Sequence, residues 1–446
     1  MYSKKEFYKA YAVMLFPLLL QQFINTSLNL VDNLMVGQLG VQAISAVGFA
    51  NKLYFLFVVT IFGALGGCSI FISQYFGNRN YRAIRKVFAI IISIGFMVSL
   101  VYSAIAFFGA EKFLQLFSKE PAIIQQGSSY LHIIAISFIF NALSLAFTYS
   151  LRAMGFNKIV LGIAILVTGC NTILNYFLIY GNGFFPKLEV KGAALATTIA
   201  RFIEICCFVY LFCQTKYHLR NHFSSYFWLS KKVIKSIINV SIPIVFNEFL
   251  WALGTTILFI AYAQLGTSAG VAANISDVLI SISLIIFMGA STTANILIAQ
   301  TIGSGNSHKA SWLSDQIMQI SLLLSLLTTI ICFFSIKPLL GFYALDATTY
   351  QITKKVLIII SIAIFFKMIN WTIIIGILRA GGDTKWAFLI DVTPLFVYAI
   401  PVAFFASMYL KLDIYIVVLL ANIEEIIKII IAFARYRSKK WILQII

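Results

Sequence analysis

Apolar residues run along this chain in long blocks, separated by short stretches rich in Lys, Arg, Gly and Asn. A helix rising 1.5 Å per residue needs about 20 apolar residues to cross the hydrocarbon of a bilayer. Twelve blocks reach that length: 11–38, 44–76, 87–109, 124–151, 158–181, 191–214, 236–264, 270–302, 312–336, 352–378, 386–408 and 413–434. They predict an all-α integral membrane protein with twelve transmembrane helices. Several blocks exceed the minimum, so tilted or kinked helices are expected. The pattern predicts neither a cleaved leader nor a soluble domain.

Composition sharpens this picture. The 446 residues are 61% hydrophobic and 11% charged, against roughly 25% charged in soluble domains. A net charge of +18 could suit nucleic acid, but its positions argue otherwise. Lys4, Lys5 and Lys9, then Arg79, Arg82, Arg85 and Lys86, then Arg152 and Lys158 all fall on one side of a twelve-span topology. So do the bases of 215–235, Arg379 and Lys385, and the tail bases Arg435 to Lys440. Excess Lys and Arg marks the cytoplasmic side. A multi-pass protein of the cell membrane is expected, with both termini cytoplasmic and no nucleic-acid partner. Cys68, Cys170, Cys206, Cys207, Cys213 and Cys332 lie in apolar blocks without metal-site spacing, and are read as small hydrophobes.

The chain repeats itself. Pro17, Gln38, Gly40, Ala46, Gly63, Gln74, Gly77 and Asn80 recur 226 residues on as Pro243, Gln264, Gly266, Ala272, Gly289, Gln300, Gly303 and Asn306. LRAMGFNK at 151–158 recurs as LRAGGDTK at 378–385. Two homologous lobes are predicted: 1–215 with six helices, a cytoplasmic linker at 216–235, and 236–446 with six more. Six is even, so both lobes enter the membrane from the same side, as a parallel internal repeat. Twin bundles suit alternating access about a central cavity. No Walker A, GxSxG, HExxH or TVGYG segment is present. ATP-driven pumping, familiar hydrolytic chemistry and a potassium-type filter are therefore not expected, nor is a cofactor.

VDNLMVGQLG (31–40), QYFGNRN (74–80), QTIGSGN (300–306) and the paired LRAMG and LRAGG loops, in this order on twelve spans, resemble the multidrug and toxic compound extrusion (MATE) transporters. The resemblance covers nearly the whole chain. It implies a secondary antiporter that exports small cationic amphipathic compounds in exchange for H⁺ or Na⁺, through a cavity between two lobes. It also implies an ion site in the first lobe, where an acid on the first helix meets polar groups on the fifth and sixth. The matching positions here are Asp32, Asn171, Asn175 and Thr197. Some members carry a second acid where this chain has Asn175, which leaves the coupling ion open. No firm metal site follows, although Na⁺ at Asp32 is compatible with the set. A monomer is expected, with the lipid bilayer and the transported compounds as its partners.

Charges inside a bilayer are costly and mark candidate sites. Asp32 has Leu258 as its repeat partner, so it is no shared scaffold element; its alternative role is to cap a kink facing outer water. Glu248 lies about 18 Å into the seventh helix. Its repeat partner is Gln22, and it is expected to be unpaired, poised for coupling or substrate. Lys367 lies at similar depth in the tenth helix and either sits beside Glu248 or snorkels away. Asp391 is a further candidate, read as closer to the cytoplasmic surface and solvated. Arg201 with Glu204, and Glu424 with Lys428, are spaced to neutralise each other on one helix. Glu425 lacks such a partner, and Asp277 aligns with Asn51 as a structural polar position. Tyr54, Tyr149 and Trp251 are candidates to line a cavity and to hold flat cations. Acids within the spans outnumber bases, which favours cationic cargo. The alternative function is a flippase for an anionic lipid-linked or polysaccharide precursor.

Overall fold

The computed structural model describes residues 4–183, 185–214, 231–343 and 345–446. Among these, the regular elements are all helices. The long ones are α1 (Lys4–Gly37), α2 (Val41–Gly77), α3 (Tyr81–Phe108), α4 (Pro121–Ala153), α5 (Asn157–Tyr180) and α6 (Glu189–Cys213). Then come α7 (Lys231–Ala263), α8 (Thr267–Gly303), α9 (Ser307–Gly341), α10 (Ala347–Leu378), α11 (Thr384–Tyr409) and α12 (Ile414–Arg437). Among the described residues the first eleven are long and apolar enough to span a bilayer. The twelfth matches their length but carries Glu424, Glu425 and Lys428 in its middle. Hydrocarbon offers the backbone no water, and a helix satisfies its own N–H and C=O groups, so the apolar blocks become helices. The expected linker positions 216–230 lie outside the described residues. Lys231, Lys232 and Lys235, read as linker, instead form the first turns of α7.

Residues that recur across the repeat act as backbone punctuation. Gly40 and Gly266 precede α2 and α8 with φ of 107° and 110°, a region that L side chains rarely adopt. The Asn80 side chain accepts from Ala83 N at 3.1 Å and that of Asn306 from Lys309 N at 2.9 Å. Each satisfies an orphan N–H at the start of α3 or α9. Wide-turn (π) segments occupy Thr372–Leu378 in α10, and Leu395–Ala399 and Phe405–Tyr409 in α11. The second begins directly after Pro394, which lacks the N–H a regular turn would use.

By packing, the chain forms two compact units, Phe16–Ser241 and the residues up to Leu15 together with Ile242–Ile446. The boundaries fall beside Pro17 and Pro243, equivalent positions in α1 and α7. The start of α1 therefore belongs with the second unit: Tyr11 Oη donates to Ala290 O at 3.4 Å, and the Phe7 ring meets Trp312 edge-on at 5.7 Å. The start of α7 belongs with the first, where Gly67 on α2 leaves room for Ser241.

A second close approach joins α5 to α6. A Cβ on Gly192 would lie 2.3 Å from Leu178 O, so only glycine lets these backbones meet. Gly192→Ala should cost about 1–3 kcal/mol, the usual cost of overpacking, and be seen as a lower unfolding temperature of the purified protein in detergent. Asp346 caps α10, its Oδ2 accepting from Thr348 N at 3.1 Å and Thr349 N at 3.0 Å. Hydrogen bonding from Thr349, side chain and backbone, and from Thr348 N–H holds this carboxyl below its ordinary value of 3.8. A depressed folded value means stability present above the unfolded value and lost as pH falls through the lower one. Asp346→Asn should therefore flatten the fall of the unfolding temperature below about pH 4.

Candidate functional site

In the Phe16–Ser241 unit, α1, α2, α4, α5 and α6 enclose a cavity of about 390 Å³. Helical periodicity sets its walls: Leu28, Asn29, Asp32, Asn33 and Val36 form one face of α1, and Ala193, Thr197, Ala200 and Arg201 one face of α6. Asn171 and Asn175, four apart on α5, complete the polar wall. Asn175 Nδ2 donates to Asp32 Oδ1 at 2.7 Å and to Asn171 Oδ1 at 3.1 Å. Asn171 Nδ2 in turn donates to Thr197 Oγ1 at 3.5 Å. The four residues grouped from sequence thus form one chain ending on a carboxylate. Asn175 is 1% exposed, and its Oδ1 has no partner among the described residues. A carboxylate fixed by neutral donors in a small cavity can take a proton, or share a hard cation with amide and hydroxyl oxygens. Arg201 also lines this cavity and donates to Glu204 at 2.7 Å. Tyr54 is a further wall, accepting from Asn141 Nδ2 at 2.9 Å.

The other unit holds a connected set of charges. Lys428, 3% exposed, lies 3.2 Å from Asp391, 3.6 Å from Glu424 and 4.0 Å from Glu425. Lys367 Nζ donates to Glu425 Oε1 at 2.9 Å, Asn370 Nδ2 to Glu425 Oε2 at 2.8 Å, and Asn247 Nδ2 to Asp391 Oδ2 at 2.8 Å. A smaller cavity of about 100 Å³ is lined by Tyr262, Asp277, Lys367 and Glu424 among others. Among the described residues no three His, Cys, Asp or Glu side chains converge as a metal site.

Several expectations change. Glu248 is not unpaired, since Arg379 Nη1 donates to it at 2.8 Å. Arg379, read as a loop base, is only 4% exposed; it follows the wide-turn segment Thr372–Leu378 and reaches back to α7. Its repeat counterpart Arg152 makes the same reach to α1, donating to Gln21 Oε1 at 2.7 Å. Lys367 meets Glu425 on α12 rather than Glu248 and does not snorkel. Glu425, which lacked a visible partner, has Lys367 and Asn370. Asp391 is not solvated but held by Lys428 and Asn247, and Asp277 lines a cavity. Of the aromatics, Tyr54 lines the Asp32 cavity. Tyr149 meets Phe62 edge-on at 6.2 Å and Trp251 meets Trp371 at 6.3 Å, and neither lines the two cavities described. Asn29, Asn33, Arg201, Asn247, Asn370 and Arg379 were missed as site residues. Asn29 and Asn33 were visible as neighbours of Asp32 on one helical face, and Arg201 as one turn from Thr197. The cross-helix partners carried no such signal.

A model of the MatE family matches residues 17–177 and again 243–405, well over half the chain. The chain belongs to the MatE family. The two matches start at Pro17 and Pro243, so the repeat read from sequence is the family unit taken twice. As a MatE protein it is a multi-pass membrane transporter of two six-helix sets. It is 25% identical over 433 residues to the uncharacterized transporter YisQ of Bacillus subtilis, covering 96% of this chain and 94% of that one. It is 25% identical over 402 residues to the probable multidrug resistance protein NorM of Thermotoga maritima, covering 89% and 85%. A crystal structure of a mutant of the Vibrio cholerae MATE transporter VcmN shares the fold, with a TM-score of 0.88, 19% identity and 99% of both chains covered.

In this MatE protein, removing one member of a buried ion pair strands the others. Lys428→Met leaves Asp391, Glu424 and Glu425 facing one another and should cost about 3–5 kcal/mol. Lys367→Met should cost less, because Glu425 keeps Asn370 and Lys428. Denaturant unfolding of both variants in detergent checks the order.

Proposed function

We propose that this chain is a secondary antiporter that exports small cationic amphipathic compounds in exchange for a proton or Na⁺. The observation that carries the reading is the Asp32 carboxylate, placed in a cavity and fixed by Asn175, Asn171 and Thr197 in a chain of the MatE family. Its relatives' names support drug efflux. The excess of buried acids supports cationic cargo. Asp32 is the coupling carboxylate: an outside cation neutralises it, and because that cation binds the two access states unequally, it shifts the population between them. Glu248, Asp391 and Lys367 support this through the ion pairs that fix α7, α10, α11 and α12. Both termini lie in the cytoplasm, the protein resides in the cell membrane, and it works as a monomer.

The test is cationic-dye movement in proteoliposomes under an imposed pH gradient and then an imposed Na⁺ gradient. Wild type should respond to one of them, and Asp32→Asn should drop to the level of empty liposomes. Glu248→Gln should retain driven transport, reduced with stability. Loss of coupling in Glu248→Gln but not in Asp32→Asn would move the coupling site to the second unit. Failure of wild type under both gradients would favour the flippase reading.

A further inference from the structure

We infer that Arg201 keeps Na⁺ out of the Asp32 cavity and so decides which ion this transporter can take; the inference rests on the reading of Asp32 as the coupling carboxylate. Asp32 is the sole carboxylate among the residues lining that cavity, and Arg201 lines it too. Glu204, which accepts from Arg201 at 2.7 Å, is not among the lining residues. The cavity wall thus carries one negative and one fixed positive group. Arg201 stands one helical turn from Thr197, about 6 Å along α6, and a guanidinium stays charged at any working pH.

A small hard cation needs a shell of oxygens, and within the Asp32 chain two of these are already engaged. Asn171 Oδ1 and Thr197 Oγ1 already accept from Asn175 and Asn171. Asn175 Oδ1 is without a donor among the described residues. A fixed charge within the same cavity weakens a second cation there by about tenfold to a hundredfold. Arg201 opposes a proton at Asp32 as well, but a proton forms a covalent O–H bond and needs no shell, so the same charge pushes only the weakly held Na⁺ out of reach. Na⁺ leaves two charges in the cavity, both still to be solvated by protein.

Two readouts on the full chain test this: binding of radioactive Na⁺ to the purified protein, and dye movement in proteoliposomes under a Na⁺ gradient. Arg201→Gln/Glu204→Gln removes the cation without stranding Glu204. Arg201→Gln alone is the second variant should the double one not fold. Wild type should show neither saturable Na⁺ binding nor Na⁺-driven transport. The double variant should gain Na⁺ binding by about tenfold or more and lose it again when Asp32→Asn is added. Arg201→Lys, which keeps the charge, should keep the exclusion; a merely structural arginine would not divide the variants by charge. Na⁺ binding by wild type that depends on Asp32, or continued exclusion by the charge-free variants, overturns the inference. If dye follows a pH gradient but the charge-free variants never take Na⁺, Arg201 is not the selector and the antiporter reading stands. If no gradient moves dye yet the Na⁺-binding pattern holds, the antiporter reading fails and the role of Arg201 stands.

Discussion

A charge placed in hydrocarbon must be answered by another group of the protein, and much of this structure is the answer. The described spans carry Asp32, Glu204, Glu248, Asp277, Asp391, Glu424 and Glu425, with Arg201, Lys367 and Lys428 among them. The ion pairs join different helices: α10 to α12 through Lys367 and Glu425, α11 to α12 through Asp391 and Lys428, and α7 to the end of α10 through Glu248 and Arg379. Apolar packing holds helices together in a bilayer with little directional preference, because lipid tails are as apolar as the side chains. Buried ion pairs add register, since each functions only when both partners face each other. Such pairs are weak evidence for net stability; their value here is in fixing which helix faces which.

The two units solve the same problem differently. Arg152 and Arg379 occupy equivalent loops and reach back to equivalent helices, one to neutral Gln21 and the other to Glu248. The unit with Gln21 keeps its lone cavity carboxylate, Asp32, on neutral amide donors. The unit with Glu248 ties its acids into pairs. A carboxylate held by amides alone is free to change its charge without dismantling the fold around it, whereas Glu425 and Asp391 are bound into helix contacts. On the proposed reading, this asymmetry favours the first unit for ion coupling and gives Arg201, one turn from Thr197, its leverage there.

Glycine and asparagine set the frame in which these contacts meet. Gly40 and Gly266 turn the chain between helices, Asn80 and Asn306 start the next helix, and Gly192 lets α6 touch α5. The Gly192 contact matters for the site, because Thr197 lies five residues further along α6 and must arrive opposite Asn171. Prolines act as boundaries: the packing units divide beside Pro17 and Pro243, and a wide-turn segment follows Pro394.

The sequence by itself determined the fold class, the twelve helices and the repeat, while the Asp32 group followed from the resemblance to MATE transporters. The first three rest on patterns along the chain: apolar runs of spanning length, and residues recurring 226 positions apart. It also reached the pairs internal to a helix, Arg201 with Glu204 and Glu424 with Lys428. Tertiary structure alone decided the partners across helices. Glu248 looked unpaired because Arg379 lies 131 residues away and at the end of another helix. Lys367 faced two readings because helical spacing does not say which neighbour a side chain meets. Asp391 looked solvated because its depth was counted from a helix end, whereas Lys428 and Asn247 close over it. Periodicity fixes the face a residue occupies; only packing brings a second face up to it.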